Sequence, residues 1–198
     1  MSDRLFANDV LFLQRLLSCC GLYAETLDGD YGKRTSDAEA AFEEHSRAIA
    51  LREGGVDGRS EANIRSLQLV AQPLARRSLR ALRTVELDVR VISGTRTYAE
   101  QNALFRRGRF KNTGPRVTNA RGGQSWHNFG LAWDIGLFDA GKYVTGDVKY
   151  CEAAAHGKIG CLEWGGDWKA FPDFPHYQVS AEGRSITNAR VSFEAGGR

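Results

Sequence analysis

The sequence predicts an α+β protein in two parts: a small N-terminal three-helix domain over residues 1–72, then an α+β domain over residues 73–198. Three observations carry that expectation. The first 70 residues repeat apolar side chains at helical spacing between turn-rich segments. "VELDVRVIS" alternates apolar and polar residues as a half-buried strand does, and the helices and strands beyond it keep no regular strand–helix–strand period, which disfavours a doubly wound sheet. A chain of 198 residues that is 42% hydrophobic and 10% aromatic can also bury a core without crosslinks, which excludes a disordered chain.

Taken in order, "NDVLFLQRLLSCCGLY" places Val10, Leu13, Leu17 and Cys20 at helical spacing, with Gly21 where a C-cap belongs. In "LDGDYGKRT", Asp28 and Asp30 hint at a calcium loop, but Gly32 stands where such a loop needs a third Asp or Asn, so a tight turn is expected. Ser36 and Glu39 have the spacing of a capping box opening a second helix through "DAEAAFEEHSRAIAL", which carries His45. Asp57 and Gly58 echo Asp28 and Gly29 ahead of a third short helix. Pro73 marks the expected boundary, because the residue before a proline is pushed out of helix.

"LARRSLRALRT" then reads as a helix. In the strand after it, Val85, Leu87, Val89 and Val91 alternate with Glu86, Asp88 and Arg90 before Gly94 ends the run. "TYAEQNALFRRGR" returns to a helical pattern, "GLAWDIGL" and "PHYQVS" are short strands, and His156 falls near a helix end in "EAAAHGKIG".

A net charge of +3 does not nominate nucleic acid, and no recognised DNA or RNA module accompanies the basic residues. No window approaches the roughly 20 apolar residues of a membrane helix. "MSDRLFANDV" lacks the order of a secretory signal, so synthesis and retention in the cytoplasm are expected, as a monomer. Cys19, Cys20, Cys151 and Cys161 show no zinc-ribbon spacing and read as structural thiols outside any disulfide framework. Charge is distributed unevenly. From Gln101 to Trp133 there is no acidic residue, whereas Arg106, Arg107, Arg109, Lys111, Arg116 and Arg121 all fall there, a collar suited to an anionic peptide.

"SWHNFGLAWDIGLF" and "CLEWGGDWKAFPDFPHYQ" carry the chemistry. A catalytic zinc needs three protein ligands and an open position, and His127, Asp134 and His176 can supply two imidazoles and a carboxylate. Each alone has a plainer reading, as a hydrogen-bonded structural histidine or a turn cap. Asp134 inside the apolar "LAWDIGL", however, is costly to bury without a cation or other partner. Trp126, Trp133, Trp164 and Trp168 read as walls and core.

"SWHNFGLAWDIG" resembles the SxHxxGxAxD signature of the M15 metallopeptidases, met by Ser125, His127, Gly130, Ala132 and Asp134. "LEWGGDWKAFPDFPHYQ" resembles the EWGGDW…PHF element of the branch that holds the L-alanyl-D-glutamate endopeptidases of phages and bacilli, as do "SGTRTYAEQNALFRRGR" and "VTNARGGQSWHN". "LQRLL", "DGDYGKRT" and the following "AF" look like the three-helix peptidoglycan-binding domain found beside many cell-wall hydrolases.

The resemblance implies an M15/Hedgehog-type zinc peptidase fold, zinc on His127, Asp134 and His176, and Glu163 as general base, with Asp167 and Asp173 as disfavoured rivals. Arg96 would steady an oxyanion or a substrate carboxylate, and Gln101, Ser125 and Trp164 would contact substrate. It implies a phage endolysin set free at lysis that cuts peptidoglycan between L-alanine and D-glutamate. The alternatives are a D-alanyl-D-alanine carboxypeptidase or dipeptidase on the same fold, and a non-catalytic wall-binding protein. The thirteen-residue separation of Glu163 and His176 departs from the ExxH spacing of the carboxypeptidase branch.

Overall fold

The computed structural model describes residues 7–83, 88–111, 113–180, 183 and 185–197. They form α1 (Ala7–Cys19), α2 (Lys33–Glu53), α3 (Gly58–Arg65), α4 (Ala71–Leu82), β1 (Asp88–Ser93), α5 (Tyr98–Arg106), β2 (Ala132–Asp139), β3 (Lys142–Tyr143), α6 (Asp147–Gly157), β4 (Leu162–Trp164), β5 (His176–Val179) and α7 (Ile186–Glu194), an α+β fold with helices leading. The chain falls into two compact units, one of residues 1–44, 96–130 and 183–198, the other of residues 45–95 and 131–182.

In the first unit, α1 ends where Gly21 donates to the Ser18 carbonyl and Leu22 to that of Leu17, the paired bonds of a Schellman motif. The turn after it is held by Gln14, which is fully buried. Its amide nitrogen reaches Asp28 Oδ1 at 2.8 Å and Tyr23 Oη at 3.1 Å, and its carbonyl oxygen accepts from the Gly29 N–H at 2.9 Å. The Asp28 carboxylate, which also accepts from Asp30 N–H, therefore serves the geometry of a tight turn, as the missing third acid implied. Helix α2 starts earlier than the Ser36 cap predicts. The Asp30–Gly32 turn already feeds it, Ser36 N–H bonding back to the Gly32 carbonyl at 3.0 Å, so Ser36 is a helix-interior residue. Phe12, Tyr98, Phe129 and Phe193 pack as a ring cluster, with centroids 5.4 to 6.2 Å apart.

The second unit holds the sheet, which is antiparallel in the order β1-β2-β5-β4, with β3 on the far end of β2. Val89 and Val91 are buried as the alternation requires, whereas Val85, Glu86 and Leu87 lie outside the described residues. Helix α4 lays Ala71, Ala75, Leu79 and Leu82, all at most 1% exposed, into the core formed with Val89, Val91, Trp133, Ile135, Leu137 and Tyr177. Full burial of each leucine contributes about 1.5–3 kcal/mol.

Pro73 stands in the first turn of α4, where a missing N–H costs nothing, so the helix begins before it. Ile64 and Leu67, which precede the expected boundary, belong to this same core, and the Asn63 amide donates to the Val91 carbonyl at 2.9 Å. Helix α3 follows the Asp57–Gly58 turn as expected, and Asp57 caps it, its carboxylate accepting from Arg59 and Ser60 N–H. The core face of the sheet carries an aromatic row, Trp133 stacking on Tyr177 with centroids 6.4 Å apart and 10° between planes, and Trp164 opposite Tyr177 in register.

Candidate metal centre and active site

Strand register decides which side chains share a face. Asp134 lies directly opposite His176, and Glu163 directly opposite Gln178. Successive residues of a strand alternate faces, so Asp134, His176, Gln178 and Glu163 project from one side of the sheet while Trp133, Tyr177 and Trp164 take the core side. A break in register between Val91 and Ser93 places Ser93 against Asp134. His176 Nδ1 stands 3.3 Å from Asp134 Oδ1, and its Nε2 stands 3.0 Å from Gln178 Oε1.

His127 sits in a single 3₁₀ turn, Trp126–Phe129, that ends at Gly130 with φ +68°, a conformation glycine adopts without strain. The turn is pinned by the fully buried Asn128. Its amide donates to the Arg96 carbonyl at 2.9 Å and its side-chain oxygen accepts from Gly123 N–H at 2.9 Å, while Arg96 N–H donates to the His127 carbonyl at 3.0 Å. His127, Asp134 and His176 each offer one ligand atom, all within 4.8 Å of one another.

The two histidines are 2% and 5% exposed. Burial opposes a charge on His176, but the hydrogen bond and charge of Asp134, the hydrogen bond to Gln178 and the charge of Asp173 outweigh it and lift the pKa above the ordinary imidazole value. Two imidazoles and a carboxylate this close, two of them nearly dry, fit a divalent ion of borderline softness such as zinc.

Gly165, in the "EWGG" stretch, explains the spacing of the second motif. A Cβ there would stand 2.5 Å from the Asp173 carbonyl oxygen and 3.0 Å from His176 Cβ, so only glycine lets this turn close against the Asp173–His176 segment. Asp173 N–H donates to the Gly165 carbonyl and His176 N–H to that of Asp173, at 3.0 and 3.1 Å. The Trp168 ring lies 5.0 Å from the His176 ring.

The remaining candidates occupy varied places. Glu163 is exposed on β4, one oxygen accepting from Gln178 Nε2 at 2.8 Å and the other from Ser180 Oγ at 2.7 Å. Asp167 is taken up by an ion pair with Lys158. Arg96 is half-buried, and Ser125 precedes the His127 turn as its N-cap. Gln101 is 1% exposed and donates to the Ala120 carbonyl at 3.0 Å, which ties down the loop ahead of Ser125 rather than presenting the amide outward. Trp164 belongs to the core, its indole N–H donating to the Phe174 carbonyl at 2.7 Å. In the basic collar, Arg109 and Arg121 both lie over the Phe105 ring, 4.2 and 5.0 Å from its centroid.

Two positions went unread in the sequence: Asn128 and Gln178. Asn128 sits inside the "SWHNFG" stretch, but nothing local marks an amide that bonds to residues about thirty positions away. Gln178 carried a weak signal, falling two residues after His176 in a strand and therefore on its face.

A family model of the M15 peptidases, described as D-alanyl-D-alanine carboxypeptidase, matches residues 118–179. Over 104 residues the chain is 39% identical to the peptidoglycan L-alanyl-D-glutamate endopeptidase CwlK of Bacillus subtilis (strain 168), covering 47% of this chain and 61% of CwlK. The match thus spans about three fifths of that curated relative. The crystal structure of the Serratia marcescens L-Ala D-Glu endopeptidase ChiX aligns with a TM-score of 0.50 and 26% identity, over 66% of this chain and 92% of ChiX. The signature residues therefore lie within the segment, residues 118–179, that matches the M15 peptidase family model, and the chain is similar to CwlK in sequence and to ChiX in fold.

Proposed function

We propose that this chain is a zinc-dependent peptidoglycan endopeptidase that hydrolyses the L-alanyl-D-glutamate bond of the stem peptide. The observation that carries the reading is the convergence of His127, Asp134 and His176 in a chain whose relatives are named for that bond. The three residues would hold zinc. When bound, it would polarise the peptide carbonyl and acidify water, whose pKa such sites lower from about 15.7 to about 7.

The protein's own groups do the rest. Glu163 takes a proton from the attacking water and returns it to the departing amine, so that L-alanine leaves as a carboxylate and D-glutamate gains a free amino group. Asp173 is the second candidate, because it stands three residues before His176, on the segment that closes against Gly165, and its charge acts on that imidazole. Arg96 would steady charge that develops on the carbonyl oxygen or a stem-peptide carboxylate. The basic collar would draw in the D-glutamate and diaminopimelate carboxylates.

Residues 1–72 are proposed as the wall-binding part, and a phage lysis enzyme as the setting; both rest on the motif resemblance. No described helix is long and apolar enough to cross a membrane.

Digestion of purified peptidoglycan, followed by identification of new amino termini, tests the reading. New D-glutamate amino termini and glycan strands ending in lactyl-L-alanine are expected. Free D-alanine as the main product would make the enzyme a carboxypeptidase, and no product from zinc-loaded protein would leave a non-catalytic wall protein.

A further inference from the structure

Gln178 joins the metal face to Glu163 through both ends of one amide. Its side chain is 4% exposed, so water does not compete for either end. An ionised carboxylate can only accept, and therefore the end of the amide 2.8 Å from Glu163 Oε2 must be its NH₂. Ser180 Oγ donates to the other oxygen of Glu163 at 2.7 Å and fixes the carboxylate in turn. The amide carbonyl is thereby turned toward His176 Nε2 at 3.0 Å, and since a carbonyl also only accepts, Nε2 must carry the proton. A metal ligand must be the neutral ring, which has one such proton. Nδ1 then offers its lone pair on the side that faces Asp134 Oδ1 at 3.3 Å, where the charged ring would instead donate to that carboxylate. Two acceptors turned toward each other at that separation suit a shared cation.

We propose that Gln178 is a positioning residue that selects the Nε2–H tautomer of His176, making Nδ1 the metal-binding nitrogen, with Glu163 and Ser180 anchoring the amide's orientation. The inference deepens the metal-centre reading and rests on it, but not on which carboxylate acts as base. It assigns Gln178 a role that the signature residues do not include: aligning a ligand before metal arrives. The cross-strand pairs Glu163 with Gln178 and Asp134 with His176 are what put the whole relay on one face.

Two measurements on the full chain test it. Long-range proton–nitrogen NMR of zinc-loaded wild type should show His176 protonated at Nε2 with zinc on Nδ1; zinc on Nε2 would overturn the proposal without any variant. Gln178→Met keeps the length and loses both hydrogen bonds. Chelator competition should show zinc held about 10–100-fold more weakly, with near-UV circular dichroism unchanged. Wild-type zinc affinity in this variant would overturn the positioning role alone, whereas a wild type that binds no zinc would fail the metal-centre reading itself.

Discussion

A carboxylate that takes a proton from water needs an oxygen with lone pairs to spare. Among the described residues Glu163 accepts one hydrogen bond at each oxygen, from Gln178 and Ser180, against a capacity of about four, on an exposed strand. Glu163→Gln is therefore expected to keep zinc and fold while lowering kcat/KM by about 10²- to 10⁴-fold, measured on stem peptides with metal content checked in parallel. If Asp173→Asn causes that loss instead and Glu163→Gln turns over near normally, the base is Asp173. At this scale two of the three candidate metal ligands could be picked out because their motif is local: His127 and Asp134 are seven residues apart, each dressed by glycines and aromatics. Asn128 and Gln178 were not, since a glutamine's role depends on the strand it ends up facing. Gln101 shows the same limit, a polar residue near a motif whose partner is a loop carbonyl, whereas Trp164 lies in the core as its residue type suggested.

Among the elements, α2 ends on a carboxylate that three guanidinium groups surround. Glu53 bonds bidentately to Arg77 and also meets Arg52 and Arg80. The Arg77 hydrogen bond foremost, opposed by burial and aided by Arg52, pulls its pKa down to about 2. A depressed carboxylate pKa adds stability that is complete above the unfolded value near 4.5 and disappears as pH falls through the folded one. Chemical denaturation at a series of pH values should accordingly show stability falling between about pH 4.5 and 2, and Glu53→Gln should flatten that limb. A variant with an unchanged acid limb would remove Glu53 from this role. Helices α1 to α5 were readable from periodicity, but α7 went unread and two starts fell elsewhere than expected. The Ser36 spacing lost to an earlier turn, and Pro73, read as a break, was absorbed by the first turn of α4. Strands β3 and β4, two and three residues long, are too short to show alternation, and pairing with β2 and β5 defines them.

For the molecule as a whole, the fold class could be read from irregular mixing of helix and strand, while the order of the sheet could not, because β5 joins β2 across more than forty residues of sequence. That order carries a consequence for how such a chain can change over time. The donors Asp134 and His176 sit on two paired strands, and a strand exposes alternate residues to alternate sides, so what must be preserved is parity. The loops on either side of α6 lie outside the paired segments, so their length does not set it. A single residue inserted between Trp133 and Asp134, by contrast, would either send Asp134 into the aromatic core or bring the Trp133 indole out to the face that carries His176. Placing one glycine at each kind of position and measuring zinc retention should show metal kept in the first and lost in the second. Chains built on this sheet can therefore differ in loop length, yet the count of residues within each paired segment has almost no freedom to drift.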